Sequence, residues 1–261
     1  VILEFAGEGD HAYTKTDGDV AELYQIVMNK GNSTSHAFTI SEPFTVPDAT
    51  ADFQPVEVLN GTLVLDESSL DLLIANGSDF YLPNTPNPLA SSGSGGMEIR
   101  QGTVRIEGNN TGLILDGTLA IRGGTVDLDD VVNDGDNFIQ YSASGFAVIE
   151  LSDGDLVVGS QVRRSTTSTS GILKYRQTGG VAAFGKNAAP STTRGVFEVL
   201  NAGSEFTLEG GDFTLVRHLN STTVPSLRLS PAVHSVIAPI MLGNGDTPAA
   251  QNRLGIFADI T

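Results

Sequence analysis

Between residues 172 and 215 the chain states one short unit several times over: an alternating apolar and polar run, a glycine corner, and a second alternating run. Residues 175–178 end in Gly179-Gly180 and restart as residues 181–184. Residues 196–200 break at Asn201-Ala202-Gly203, resume over 204–208, break at Gly210-Gly211 and resume over 212–216. Looser copies lie at Leu59-Asn60-Gly61-Thr62-Leu63, Arg100-Gln101-Gly102-Thr103-Val104, Leu115-Asp116-Gly117-Thr118-Leu119 and Ile121-Arg122-Gly123-Gly124-Thr125-Val126, with echoes at Asn76-Gly77-Ser78-Asp79-Phe80 and Ser144-Gly145-Phe146. From Gly124 through Gly154 and Gly180 to Gly211 the corners recur at intervals of 30, 26 and 31 residues. Recurrence at 20 to 50 residues is the mark of a stacked array.

Glycine accepts a positive φ and close backbone approach without steric cost, so each corner turns the chain while the strands on either side stay extended. Alternation puts one face of each strand inward, and stacked turns then share a core that no single turn could bury. Asn60-Gly61 and Asp116-Gly117 also suit type I′ hairpins, which leaves an antiparallel sandwich or meander as the competing architecture. The regular recurrence favours an all-β, right-handed parallel β-helix (β-solenoid) with loop insertions at its corners. Ile99, Val104, Ile106, Leu113, Leu115, Leu119, Ile121, Val126, Phe197, Val199, Phe206, Leu208, Phe213 and Leu215 are expected to point inward. Residues 83–96, 162–170 and 185–193, rich in Pro, Ser, Thr and Gly, read as excursions from the corners.

Two segments are expected: 1–52, irregular N-terminal turns or a junction, and 53–261, the parallel β-helix, continuing beyond the chain. Residues 20–28 fit a short amphipathic helix and an edge strand equally well. The start at Val1 and the missing polar cap at the far end suggest a piece of something longer.

With 31 acidic residues against 14 basic ones the formal charge is −17, which argues against nucleic acid as a partner, because phosphate recognition needs clustered Lys and Arg. No apolar run approaches the ~20 residues of a membrane span, so no membrane insertion by this segment is expected. The chain has no cysteine, which excludes disulfides and thiolate chemistry.

Five aspartates crowd one stretch: Asp127, Asp129, Asp130, Asp134 and Asp136. Oxygen ligands on a loop suit a hard cation, so Ca²⁺ is the metal to consider there, although the register and closing Glu of an EF-hand are missing and a solvated turn explains the run as well. No other cofactor is implied. His11, His36, His218 and His234 lack metal-ligand spacing and read as surface residues. Basic residues look scattered, no Gly-x-Ser-x-Gly elbow occurs, and no set of residues converges on catalysis, so no enzymatic activity is expected. The sequons at Asn32, Asn60, Asn76, Asn109 and Asn220 are expected to stay unmodified.

The phrases Tyr-x-Gln-Thr-Gly-Gly (Tyr175, Gln177, Thr178, Gly179, Gly180) and Phe-x-Val followed by Gly-x-x-Phe-x-Leu-x-Gly-Gly (Phe197, Val199, Gly203, Phe206, Leu208, Gly210, Gly211) resemble the parallel β-helix of giant bacterial cell-surface adhesins, namely autotransporter passengers and the gliding-motility adhesins of Bacteroidota. The clear likeness spans about 45 residues and a looser one roughly residues 53–240. It implies secretion to the bacterial cell surface, an elongated filament, and cell adhesion through surface glycans, abiotic surfaces or other cell-surface proteins, with a role in gliding as one form of it. It carries no catalytic residues. The same fold also hosts polysaccharide lyases, glycoside hydrolases and phage tail-spike modules, which form the alternative.

Overall fold

The computed structural model describes residues 1–15, 19–50, 52–83, 94–109, 111–130, 132, 137–141, 146–165, 170–186, 194–216, 227–230, 235–236, 238–242 and 254–256. They form a parallel β-solenoid whose turns have three walls. The first face holds β1 (Ile2–Gly7), β4 (Gln25–Lys30), the start of β7 (Val56–Asn76), β8 (Phe80–Leu82), β10 (Gly112–Leu115), β13 (Phe138–Tyr141), β16 (Val162–Arg164), β19 (Phe197–Leu200), β22 (Leu227–Ser230) and β25 (Leu254–Ile256). On the second face lie β2 (His11–Tyr13), β5 (Ala37–Ile40), the middle of β7, the first half of β9 (Gly95–Glu107), β11 (Thr118–Ile121), β14 (Phe146–Leu151), β17 (Ile172–Gln177), β20 (Glu205–Leu208) and β23 (Ser235–Val236). The third face takes the ends of β7 and β9, then β12 (Thr125–Leu128), β15 (Asp155–Val158), β18 (Val181–Phe184), β21 (Asp212–Leu215) and β24 (Ile240–Leu242). Two short strands, β3 (Ala21–Glu22) and β6 (Phe44–Thr45), pair apart from these ladders.

Among the described residues every pairing between these strands is parallel, in the order one turn to the next: β11 on β14, β14 on β17, β17 on β20. Among the described residues the one antiparallel bridge is the isolated Thr50 to Phe53 contact. The hairpin reading of Asn60-Gly61 and Asp116-Gly117 is thereby set aside: both turn the chain from the first face to the second, between strands that never pair with each other. Residues 20–28, ambiguous in sequence, are extended, as β3 and β4. The position near residue 52 falls between β6 and β7, and β7 pairs with β4 and β5 before it as well as with β9 after it.

Why the corner between second and third faces needs glycine is visible in one column. Gly102, Gly124, Gly154, Gly180 and Gly211 stack turn upon turn, each with φ between 66° and 80°. A Cβ on Gly124 would meet the carbonyl oxygen of Gly102 at 2.5 Å, on Gly154 that of Gly124 at 2.2 Å, on Gly180 that of Gly154 at 2.5 Å and on Gly211 that of Gly180 at 2.4 Å. Each glycine therefore makes room for the carbonyl of the preceding turn as well as turning its own.

All fourteen side chains expected inward are buried, none more than 2% exposed. Over most of the length the interior is aliphatic, but β17 to β21 fill it with rings from all three faces. Tyr175 stacks on Phe206 at 5.3 Å, Phe197 meets Phe206 edge-on at 5.7 Å, and Phe184 meets Phe197 at 4.7 Å. The Tyr-x-Gln phrase acquires a reason here. Tyr175 and Gln177, two residues apart, both face inward; the Tyr175 hydroxyl donates to Gln177 Oε1 at 2.7 Å, and Gln177 Nε2 donates to the Asp212 and Gly180 carbonyls at 3.0 and 3.3 Å. Gln177 thus ties the Gly-Gly corner from the inside and binds it to the turn above.

Candidate functional site

The acidic run follows β12, where the chain leaves the third face for the first. Asp127 is half-buried, and its Oδ1 accepts from the Asp129 amide at 2.8 Å. Burial pushes its pKa up, opposed by that amide and by Lys186 and reinforced by the charges of Asp129 and Glu107. Asp129 pairs with Lys186, Nζ to Oδ2, at 3.1 Å. Asp130, 4% exposed, accepts from the Gly108 amide at 2.8 Å through Oδ2 and from the Val132 amide at 3.1 Å through Oδ1. Asp130 therefore holds the corner to the previous turn, Asp127 braces its own loop and Asp129 pairs with a lysine of a later turn. Asp134 and Asp136 lie outside the described residues. Among the described residues no group of three or more His, Cys, Asp or Glu is arranged to hold a metal ion.

The same corner carries a ladder of polar side chains, Asp79 half-buried and Asn137 and Gln161 buried. Asp79 Oδ1 accepts from the Gly112 amide at 3.0 Å. Asn137 Nδ2 donates to the Gly108 carbonyl at 2.8 Å and to the Thr111 carbonyl and hydroxyl at 3.1 and 3.0 Å, and Gln161 Nε2 donates to the Gly195 carbonyl at 2.8 Å. Side chains here replace the backbone hydrogen bonds that an irregular corner forgoes. Of the histidines, His36 Nδ1 accepts from the Gly9 amide at 3.0 Å and His11 Nδ1 lies 2.9 Å from the buried Lys30 Nζ; His218 and His234 lie outside the described residues.

Outward-facing charges on the second and third faces pair across turns and, on β9, also along the strand. Arg100 meets Glu98 at 2.6 Å and Asp66 at 3.7 Å, Arg105 meets Asp71 at 2.7 Å and also Glu107, Arg122 meets Glu150, Lys174 meets Glu205 at 2.9 Å and Arg176 meets Glu209 at 2.9 Å. Exposed pairs of this kind contribute roughly 0 to 1 kcal/mol each.

The first face is built differently. Every residue of β10 and β19 is buried, outward as well as inward. Glu198 points outward from β19 yet has a side chain only 1% exposed, because arginines close over it. Arg194 Nη2 lies 3.2 Å from Oε2, Arg228 Nη1 lies 3.0 Å from Oε1, and the Gly195 amide donates to Oε1 at 2.8 Å. Arg194 also donates to the carbonyl of Arg164. Arg164 donates through Nη1 to Asn201 Oδ1 at 2.7 Å, while its Nε is buried with no hydrogen-bond partner. Beside Arg164 on β16, Arg163 reaches one turn back: its guanidinium lies 3.6 Å from the centre of the Phe138 ring and donates through Nε to Gln140 Oε1 at 3.2 Å.

Four basic residues that look scattered along the chain, Arg163, Arg164, Arg194 and Arg228, thus fall along one wall. The signal was present: Arg163, Arg194 and Arg228 are 31 and 34 residues apart, close to one turn of the coil. Set against protein-family models, curated proteins and solved structures, the chain finds no match in any of the three comparisons.

Proposed function

We propose that this chain is a structural and adhesive segment of an elongated protein on the bacterial cell surface, holding other parts of that protein at a distance and taking part in attachment to glycans, abiotic surfaces or other surface proteins. The observation that carries this reading is the one-to-one stacking of turns, in which each turn adds about 4.8 Å of length and makes the same contacts as the one before. The likeness of residues 175–180 and 197–211 to surface-adhesin repeats supports it. So do the ion pairs that join neighbouring turns on the second and third faces, Arg105 to Asp71, Arg122 to Glu150, Lys174 to Glu205 and Arg176 to Glu209.

Beads coated with the purified chain, passed under flow over glass, over bacterial cells and over immobilised glycans, test the reading. Retention above that of beads carrying an unrelated acidic protein is the expected result on at least one surface. Equal retention on all of them removes the adhesive part. Depolymerisation of an acidic polysaccharide, lost on Asp127→Asn or Asp129→Asn, overturns the proposal in favour of a carbohydrate-active enzyme of the same fold.

A further inference from the structure

Two Asn-Gly pairs among the described residues turn the chain with nearly the same backbone, Gly61 at φ +85° and Gly77 at φ +83°, yet their surroundings differ at the atoms that could react. An asparagine before glycine can close a ring on itself, the glycine nitrogen attacking the side-chain Cγ, because no Cβ on the glycine crowds that nitrogen. Asn60 is held away from this path. Its Nδ2 donates to Asn29 Oδ1 at 2.9 Å, its Oδ1 accepts from the Ser94 hydroxyl at 3.1 Å, and the Gly61 amide donates to the Ser94 carbonyl at 3.1 Å. Ring closure there would disturb all of these bonds, at a corner where Gly61 is buried. Asn76 ends β7, and both it and Gly77 are exposed. Among the described residues neither the Asn76 side chain nor the Gly77 amide makes a hydrogen bond.

We propose that Asn76 is a site of self-modification, where the folded chain converts asparagine to aspartate and isoaspartate through a cyclic imide while Asn60 is spared. The Gly77 nitrogen gives up its proton to solvent and bonds to Asn76 Cγ, and the side-chain nitrogen leaves as ammonia. Water then opens the ring. Cleavage of the bond between the Gly77 nitrogen and Cγ leaves aspartate; cleavage of the bond to the Asn76 main-chain carbonyl leaves isoaspartate, with the chain running through the side chain. Asparagine and water thus become a carboxylate and ammonia, with no other reactant. The product adds a negative charge to a chain of −17. Its isoaspartyl form also lengthens the main chain by a methylene where the next turn is in contact, since a Cβ on Gly108 would lie 2.3 Å from the Gly77 nitrogen. This inference stands apart from the attachment reading: the reaction needs only water, and a spacer that adheres to nothing undergoes it equally.

The test is incubation of the intact chain in mildly alkaline buffer, with timed peptide mapping by mass spectrometry and enzymatic methylation of isoaspartate in each mapped peptide. In the folded chain Asn76 should convert about tenfold faster than Asn60 or more, the rate equivalent of one hydrogen bond that ring closure at Asn60 must break. In urea, where neither asparagine is held, the two should convert at similar rates. Asn76→Gln, whose longer side chain would have to close a larger ring, should abolish conversion in the peptide that carries residue 76. That side chain is exposed and unbonded, so the variant keeps the fold. Equal rates at Asn60 and Asn76 in the folded chain overturn the proposal, as does an Asn76 that converts in urea but not in the folded chain. Asn60 lagging as far behind in urea would place the difference in the sequence rather than the fold, and signal persisting in Asn76→Gln would place the reaction at another residue; either overturns it too.

Discussion

At the scale of single residues, two glycines with nearly the same φ separate the two demands that a corner makes. Gly7 has φ +83° and nothing within 4 Å of where a Cβ would sit, whereas Gly154 has φ +80° and would place its Cβ 2.2 Å from the Gly124 carbonyl oxygen. Gly7→Ala therefore incurs the left-handed conformation alone, about 1 to 2 kcal/mol. Gly154→Ala adds displacement of the neighbouring turn, roughly 1 to 3 kcal/mol more. Urea unfolding of the two variants measures the difference, and equal losses would mean that the turns are not in contact at this corner. Asp79 offers a second residue-level check. Burial raises its pKa above the ordinary 3.8, against the pull of the Gly112 amide and of Arg163. The folded state then holds that proton more tightly than the unfolded state, so this group's contribution to stability is greatest at low pH and is lost as pH rises through the folded pKa. Asp79→Asn keeps the acceptor for Gly112 and cannot ionise. Its melting temperature relative to wild type should rise between pH 3.5 and pH 7, and a constant difference would show that Asp79 does not titrate abnormally.

Single elements show how far the strand pattern could be read and where reading stopped. Alternation about glycine identified the inward side chains from Ile99 to Leu215, since one residue of slip would have turned each strand inside out. Local likeness was a poorer guide to position. The phrase at Gly203-Ser204-Glu205-Phe206 lies between first and second faces, but its echo at Gly77-Ser78-Asp79-Phe80 lies between third and first. Phe146, whose Ser-Gly-Phe phrase echoes the one at Phe206, is 61% exposed; the residue that stacks in line with Tyr175 and Phe206 is Ile149. The full burial of β10 and β19 could not be read either, because Ile114 and Glu198 occupy outward positions and their burial comes from neighbouring turns rather than from their own strand. What the Tyr-x-Gln phrase does became legible only with the fold, and it gives a sharp expectation. Tyr175→Phe keeps the ring stack but leaves Gln177 Oε1 buried without its donor, at a cost of about 1 to 3 kcal/mol. Phe197→Ala removes a ring shared with Tyr175, Phe184, Phe206 and Phe213 and should cost more, about 3 to 5 kcal/mol. Denaturant unfolding followed by circular dichroism orders the two. A Tyr175→Phe variant as stable as wild type would reduce the bracket to simple packing.

Across the whole molecule the periodicity of the glycines was enough to give the architecture, whereas the candidate site depended on which arginines share a wall, a property of the number of residues per turn that no single stretch displays. Turns in such an array are stabilised chiefly by their neighbours, so stability varies along the axis rather than being a property of the whole. Two features set the direction of that variation. On the first face the ladder through β1, β4 and the start of β7 is separate from the seven-stranded ladder that begins at β8, so hydrogen bonding along this wall is interrupted there. The strands before that break are also the less buried ones: β1 reads exposed at four of its six residues, and β2 at two of three, whereas β17 to β21 enclose the aromatic cluster. Native-state hydrogen exchange should therefore find the amides of β1 and β2 exchanging through a local opening. The amides of β14, β17 and β20 should exchange only with global unfolding, their opening free energies set by the ring cluster. Phe197→Ala, from the same argument, should lower protection in β17 and β20 while leaving that of β1 and β2 unchanged. Uniform protection from β1 to β20, or a fall in protection at β1 as large as at β20 in that variant, would show that the solenoid opens as one cooperative unit and that the interruption between β7 and β8 has no energetic consequence.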